Sequence, residues 1–280
     1  MKIPQILEQA RTGNLECCKN CPWSPKYVKR AGFGVSCTEH GINWEIEGKA
    51  NSMLIAQDPG DTTPHQTGRL CIVHNAENPT DTTAQHALRL WNATVSLNHN
   101  NPAAGGYLKK HYWVNSIMHG VSKKEEKLRK KIQGARKCCR NVLDLQIAAL
   151  KPNVIIAYGA EAANSLYEIG ILKKGWSSIR KHFNNGAYSE DINSWRGIKI
   201  KALCTYHTSK RAIDTISVYY DSQTTEKSIE EKTKKIGYPN SIIQFLSIYA
   251  KADISKEHRG MRYLLNHWLD IGEAIRTGSN

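Results

Sequence analysis

The chain has no long hydrophobic run: nowhere in its 280 residues do the roughly 18 apolar residues of a membrane-spanning helix occur together. Met1 to Asn14 also lack the apolar core of a signal peptide, so a cytoplasmic protein is the expectation. In that reducing setting the eight cysteines are not expected to form structural disulfides. Acidic residues are scarce, 25 Asp and Glu against 39 Lys and Arg, which leaves a formal net charge of +14. Such an excess attracts polyanions, and nucleic acid is the commonest one a soluble protein meets. A merely solvated basic surface is the competing reading. No internal repeat is visible. The hydrophobic fraction of 40% suffices for a core, so global disorder is not expected. The length fits one large α/β domain, or one domain with an appended subdomain.

The first 50 residues are cysteine-containing, Trp-rich and irregular, and read as a cap. Ser52 to Ala56 is a short apolar run stopped by Pro59 and Gly60, the pattern of a buried strand ending in a tight turn. His111 to Ile117, Asn153 to Tyr158 and Ile198 to Thr205 have the same character. Helical segments are expected at Thr82 to Leu97, within Ser122 to Leu150, and at Ala160 to Ile169. Alternating strands and helices predict a three-layer α/β/α fold around a four-stranded, mostly parallel sheet. The predicted division is residues 1–220 for the α/β domain with its cap and 221–280 for a helical extension, with helices at Ser241 to Ala250 and Met261 to Ile275.

In parallel sheets ligands bind beyond the carboxyl ends of the strands. Asp58, Asn115 and His207 each stand just at or after such an end. A carboxylate, an amide and an imidazole suit a hydrolysis in which a heterocycle leaves. The carboxylate orients water or stabilises an oxocarbenium ion, as in glycoside hydrolysis. The amide reads a base edge, and the imidazole donates a hydrogen bond to the charge developing on the departing base. Singly, each residue also fits a plain role: Asp58 begins a turn, Asn115 ties down a loop, His207 is a satisfied half-buried histidine.

Leu54 to Gly60 (LIAQDPG) resembles the first motif of uracil-DNA glycosylases, as a hybrid of the Gly-Gln-Asp-Pro-Tyr and Gly-Glu-Ala-Pro-Gly forms. Val114-Asn115-Ser116 resembles their base-reading strand end. Leu145 to Ala162 is similar to their helix–Pro–strand–Gly–x–x–Ala segment, and Thr205 to Ser209 (TYHTS) resembles their Thr-Tyr-His-Pro-Ser loop. The likeness covers roughly Cys18 to Ala212. It implies base flipping and monofunctional cleavage of the N-glycosidic bond of DNA by a monomeric enzyme. It assigns Asp58 to the water, Asn115 to the base edge and His207 to the leaving group. Gln57, Gly60, Cys71 and Trp113 would belong to the base pocket, and Ser209, Lys210 and Arg211 would hold the DNA backbone.

Clustered cysteines in a reducing compartment point to a metal. The cluster-bearing branch of the superfamily implies a 4Fe-4S cluster on Cys18, Cys21, Cys37 and Cys139, with zinc and ordinary buried thiols as alternatives. His119 stands where that branch has a cysteine and is the alternative to Cys37 as a ligand, as Cys17 is to Cys18. Cys71 and Cys204 read as packing residues. Gly60 and Cys71 both occupy places where uracil enzymes carry an aromatic, which leaves room beside C5 of a flipped pyrimidine. A 5-modified base, such as the hydroxymethylcytosine or glucosylated hydroxymethylcytosine of phage DNA, is the expected substrate, with an antiviral role. Uracil repair, with the base stacked on Trp113 or His74, is the alternative. A non-catalytic nucleic-acid-binding module of the same fold is a further one, against which the carboxylate and histidine argue. A metal-dependent nuclease is disfavoured, since only Asp61 lies near Asp58.

Overall fold

Five apolar or alternating runs pair into one sheet in a computed structural model that describes residues 1–19, 21, 48–57, 82–97, 111–117, 132–183, 185–250 and 255–278. The strands are β1 (Ser52–Ala56), β2 (His111–Asn115), β3 (Val154–Tyr158), β4 (Tyr188–Trp195) and β5 (Ile198–Thr205), in the order β2-β1-β3-β5-β4. β2, β1, β3 and β5 run parallel, and β4 joins the edge antiparallel to β5. The four expected strands are present. The fifth, β4, was not anticipated because it alternates exposed and half-buried positions and carries Glu190, Asp191 and Asn193. Its turn at Arg196 and Gly197, with φ of 48° and 76°, has the two left-handed residues of a tight hairpin.

The described helices are α1 (Ile3–Thr12), α2 (Thr82–Trp91), α3 (Ile132–Leu150), α4 (Ala160–Glu168), α5 (Trp176–Ile179), α6 (Lys210–Ile216), α7 (Thr224–Lys235), α8 (Asn240–Ile248) and α9 (Lys256–Thr277). α1 corrects the reading of an irregular N-terminus: Ile3, Ile6, Leu7 and Ala10 recur at helical spacing and are all buried. These residues pack with Met53, Ile55 and Tyr112 from one sheet face and with Val142, Leu143 and Ile147 of α3. The opposite face, through Leu54, Trp113, Ile156 and Leu203, packs against Leu90 and Trp91 of α2 and Leu264, Leu265 and Trp268 of α9. Side chains alternate across a strand, so each strand feeds both cores. The extension after residue 221 therefore covers one face of the sheet through α9. Among the described residues no helix is long and apolar enough to cross a membrane.

Candidate active site

Parallel pairing sets Ala56 level with Asn115 and Tyr158 level with Thr205, which brings the carboxyl ends of four strands to one edge. Hydrogen bonds extend that edge past the strands. The Ser116 N–H donates to the Ala56 carbonyl at 2.8 Å, and the Ser116 hydroxyl and Ile117 N–H donate to the Gln57 carbonyl at 2.9 Å each. The chain is thus held up to the residue before Asp58. Asp58, Gly60, Asp61, Cys71, His74, Cys37 and His119 lie outside the described residues. Asn115 is half-buried and Gln57 exposed at this edge. Trp113 is 4% exposed and packs edge-on against Trp91 at 4.9 Å, beneath the edge.

His207 follows β5 by two residues and is held from several sides. Gly159, at φ +96°, approaches so closely that an added Cβ would stand 3.2 Å from the His207 Cβ. The Gly159 N–H donates to the Thr205 carbonyl at 2.9 Å, which locks β3 to β5 beyond their last register pair. The Tyr158 ring lies 4.8 Å from the imidazole, centroid to centroid. The Ser209 N–H donates to His207 Nδ1 at 3.1 Å. Because a backbone N–H can only donate, Nδ1 must accept, and a neutral ring then carries its proton on Nε2. The loop therefore fixes one tautomer and leaves Nε2 as a donor. Ser209 also caps α6, its hydroxyl accepting from the Ala212 N–H at 3.4 Å. Lys210 and Arg211 open that helix on the surface, with Lys210 3.4 Å from Asp214.

The N-terminal cysteines gather against α3. Leu15 to Cys21 wind in tight turns, with the Cys18 N–H on the Leu15 carbonyl at 2.8 Å and the Cys21 N–H on the Cys18 carbonyl at 3.0 Å. They meet the first turns of α3 at Cys138, whose thiol contacts Cys21. Burial pushes the Cys138 thiol up to about 11, and the neighbouring Cys21 and Cys17 add to the rise. Cys18 is raised further, by burial first and then by Cys17, Cys21 and Cys138. Its sulfur lies 3.9 Å from that of Cys17. Cys139, the expected ligand, is 3% exposed and points from α3 into the core. Successive helical residues point about 100° apart, so Cys138 and Cys139 do not face the same point. Among the described residues no three His, Cys, Asp or Glu side chains stand in a ready-formed metal site, and none of the cysteines is in a disulfide. Cys204 is fully buried in β5, as a packing residue.

Gly159 stood out from sequence as a residue just after a strand, but Tyr158 was given no role and Cys138 was noted only as part of the cysteine clustering. Tyr158 gave one signal, a hydroxyl ending an otherwise apolar run, and Cys138 none beyond its adjacency to Cys139. A histidine loop and an asparagine thus stand at the carboxyl edge of the parallel strands. The sequence matches the uracil DNA glycosylase superfamily over residues 45–226, more than half of the chain, and the protein belongs to that superfamily of DNA glycosylases. The matched span begins before β1 and ends in α7, so most of the C-terminal extension falls outside it. Comparison with curated proteins found no match.

Proposed function

We propose that the protein flips a 5-modified pyrimidine out of DNA and hydrolyses its N-glycosidic bond without cutting the strand. The observation that carries the chemistry is the His207 loop, whose Ser209 N–H holds Nδ1 as acceptor and leaves the Nε2–H to donate. As the glycosidic bond breaks, the electron pair moves onto the base, and the Nε2–H hydrogen bond stabilises the negative charge arriving there. Asn115, level with the end of β1, reads the base edge with one donor and one acceptor. Asp58 supplies the carboxylate that orients water and offsets the positive charge on the sugar. Water adds to the anomeric carbon and its proton leaves through that carboxylate, so base and hydroxyl exchange places on the sugar. Lys210 and Arg211 hold the phosphates on either side of the flipped nucleotide.

The choice of base rests on Gly60 and Cys71, which stand in place of aromatic bulk. The test is mass spectrometry of bases released from plain DNA and from DNA carrying uracil, 5-hydroxymethylcytosine or its glucosylated form. Release of a 5-modified base, abolished by Gly60→Tyr, is the expected result and suits a role against phage DNA. Release of uracil alone, with Gly60→Tyr acting equally on every substrate, would make this a uracil repair enzyme.

The thiols of Cys17, Cys18, Cys21 and Cys138 stand together, Cys17 against Cys18 and Cys21 against Cys138, and such a cluster of sulfurs suits a bound cation. We assign them, with Cys37 as a further candidate, to a 4Fe-4S cluster, with zinc as the alternative. Such a group would staple the N-terminal turns to α3 and take no part in the hydrolysis. Iron and sulfide analysis of anaerobically purified protein tests this; stoichiometric zinc in colourless, active protein would replace the cluster.

A further inference from the structure

Behind His207 sits a pair of hydroxyls that the hydrolysis itself does not use. Thr208 is fully buried between two candidate functional residues, and a free backbone N–H at such a place must find a partner. It donates to the Tyr158 hydroxyl oxygen at 3.1 Å. The Tyr158 hydroxyl in turn donates to the Thr208 hydroxyl, which itself donates to the Thr83 carbonyl at 2.8 Å in the first turn of α2. Three elements therefore meet on one residue: the end of β3, the start of α2 and the loop after β5. His86, one turn further along α2, also reaches the Thr208 backbone. Tyr158 is 1% exposed, and burial holds its phenol well above the usual tyrosine range, so it stays protonated and can donate.

We propose that Tyr158 is a positioning residue of the glycosylase reaction, its hydroxyl fixing the Thr208 turn so that His207 presents Nε2 to the departing base. The inference rests on the reading of His207 given above. Two observations make the link direct. The Tyr158 ring lies against the imidazole it positions, at 4.8 Å and an angle of 48°. The two N–H groups that follow His207 are both consumed in shaping the turn, Thr208 on Tyr158 and Ser209 on His207 Nδ1. Proline, which occupies this place in the motif the loop resembles, would fix φ covalently and offer no N–H. Threonine leaves both the rotation and the donor open, and the Tyr158 hydroxyl closes them. The competing account is that Tyr158 merely fills the core, where its ring stands edge-on to Trp268 at 5.9 Å.

Tyr158→Phe separates the two, since it keeps the ring and removes only the hydroxyl. Misplacing a catalytic group by a fraction of its working distance costs about 10- to 100-fold, so single-turnover base release should fall by that factor while DNA affinity holds. Thr208→Pro alone should also be harmful, because the proline ring would meet the Tyr158 hydroxyl where the N–H was accepted. The double variant Tyr158→Phe/Thr208→Pro removes both the orphaned donor and the clash, and release should return to within about threefold of the parent if placement of His207 is what was lost. A core-filling role predicts no such rescue. If Tyr158→Phe proves too unstable to purify, Thr208→Val breaks the hydroxyl relay at nearly constant shape and is read the same way. The nitrogen-15 signals of the His207 ring provide a readout independent of activity. In the parent Nδ1 should appear as an acceptor, and in Tyr158→Phe the two tautomers should mix. Unchanged ring signals and release in Tyr158→Phe, or a double variant no better than the single ones, overturn the proposal. A parent that releases no base from any DNA sinks the glycosylase reading instead, and the ring signals still decide the role of Tyr158.

Discussion

A methyl group on Gly159 would stand 3.2 Å from the His207 Cβ, and the backbone there has φ +96° and ψ 179°, which L-residues with side chains rarely adopt. Gly159→Ala should therefore cost about 1–3 kcal/mol of stability in backbone strain and displace the histidine as well. Thermal unfolding and base release, measured on the same preparation, should both fall; a fully active variant would mean that the loop tolerates movement. Cys138 and Cys139 make a second prediction. Metal bound per chain should drop in Cys138→Ser and persist in Cys139→Ser, and the reverse would return the helix ligand to Cys139. At this scale the sequence was informative where chemistry follows strand ends. The placement of His207 and Asn115 at the carboxyl edge was legible because an apolar run that stops abruptly marks a strand end. The partners of His207 were not, because Tyr158 and Thr208 meet 50 positions apart through a register that only the folded sheet defines. The face of α3 that meets the other cysteines was hidden for a similar reason, since adjacency does not reveal helical phase.

Among the described elements, α9 runs through the core on its side of the sheet, and it packs there through close approach. A Cβ at Gly272 would lie 2.2 Å from the Thr94 carbonyl oxygen, and one at Gly260 would lie 2.6 Å from the Ile213 carbonyl oxygen of α6. Backbone leaves no room to yield, so Gly272→Ala is expected to destabilise the fold by about 1–3 kcal/mol, read as a lower denaturation midpoint at unchanged slope. An unchanged midpoint would mean that α9 can withdraw without loss. The same helix is tied by Arg262, which pairs with Glu226 of α7 and donates to the Tyr249 carbonyl at 2.8 Å. The extension was legible as helical from its periodicity. What periodicity could not give was where its glycines point. β4 escaped notice because an edge strand half in water lacks the apolar run that marked the other four. α1 was lost among the cysteine turns beside it, although its own spacing is helical.

For the molecule as a whole, two histidines lie in the cores with no exposure. Burial holds His111 and His267 at about 3, against an ordinary value of 6.5, and the Lys232 charge adds to the lowering at His267. Both are neutral when folded, whereas the unfolded chain binds protons as pH falls below 6.5. Their contribution to stability is therefore complete above that value and lost progressively between 6.5 and about 3. The unfolding temperature should decline as pH is lowered through this window, and His267→Phe should flatten the decline. A flat profile in the parent would contradict the neutral burial. The charge of +14 acts at the same scale, on the DNA. Replacing Lys210 and Arg211 by Ala should weaken all sequences alike and flatten the salt dependence of binding by about one unit of slope per lost phosphate contact. The account as a whole is tested most directly by single-turnover base release from modified DNA, with binding measured in parallel, for the parent, Asp58→Asn and His207→Ala. Each variant should bind DNA as the parent does and release base about 100- to 1,000-fold more slowly, leaving the strand intact. Undiminished release in both variants, or strand scission without a free base, would contradict it.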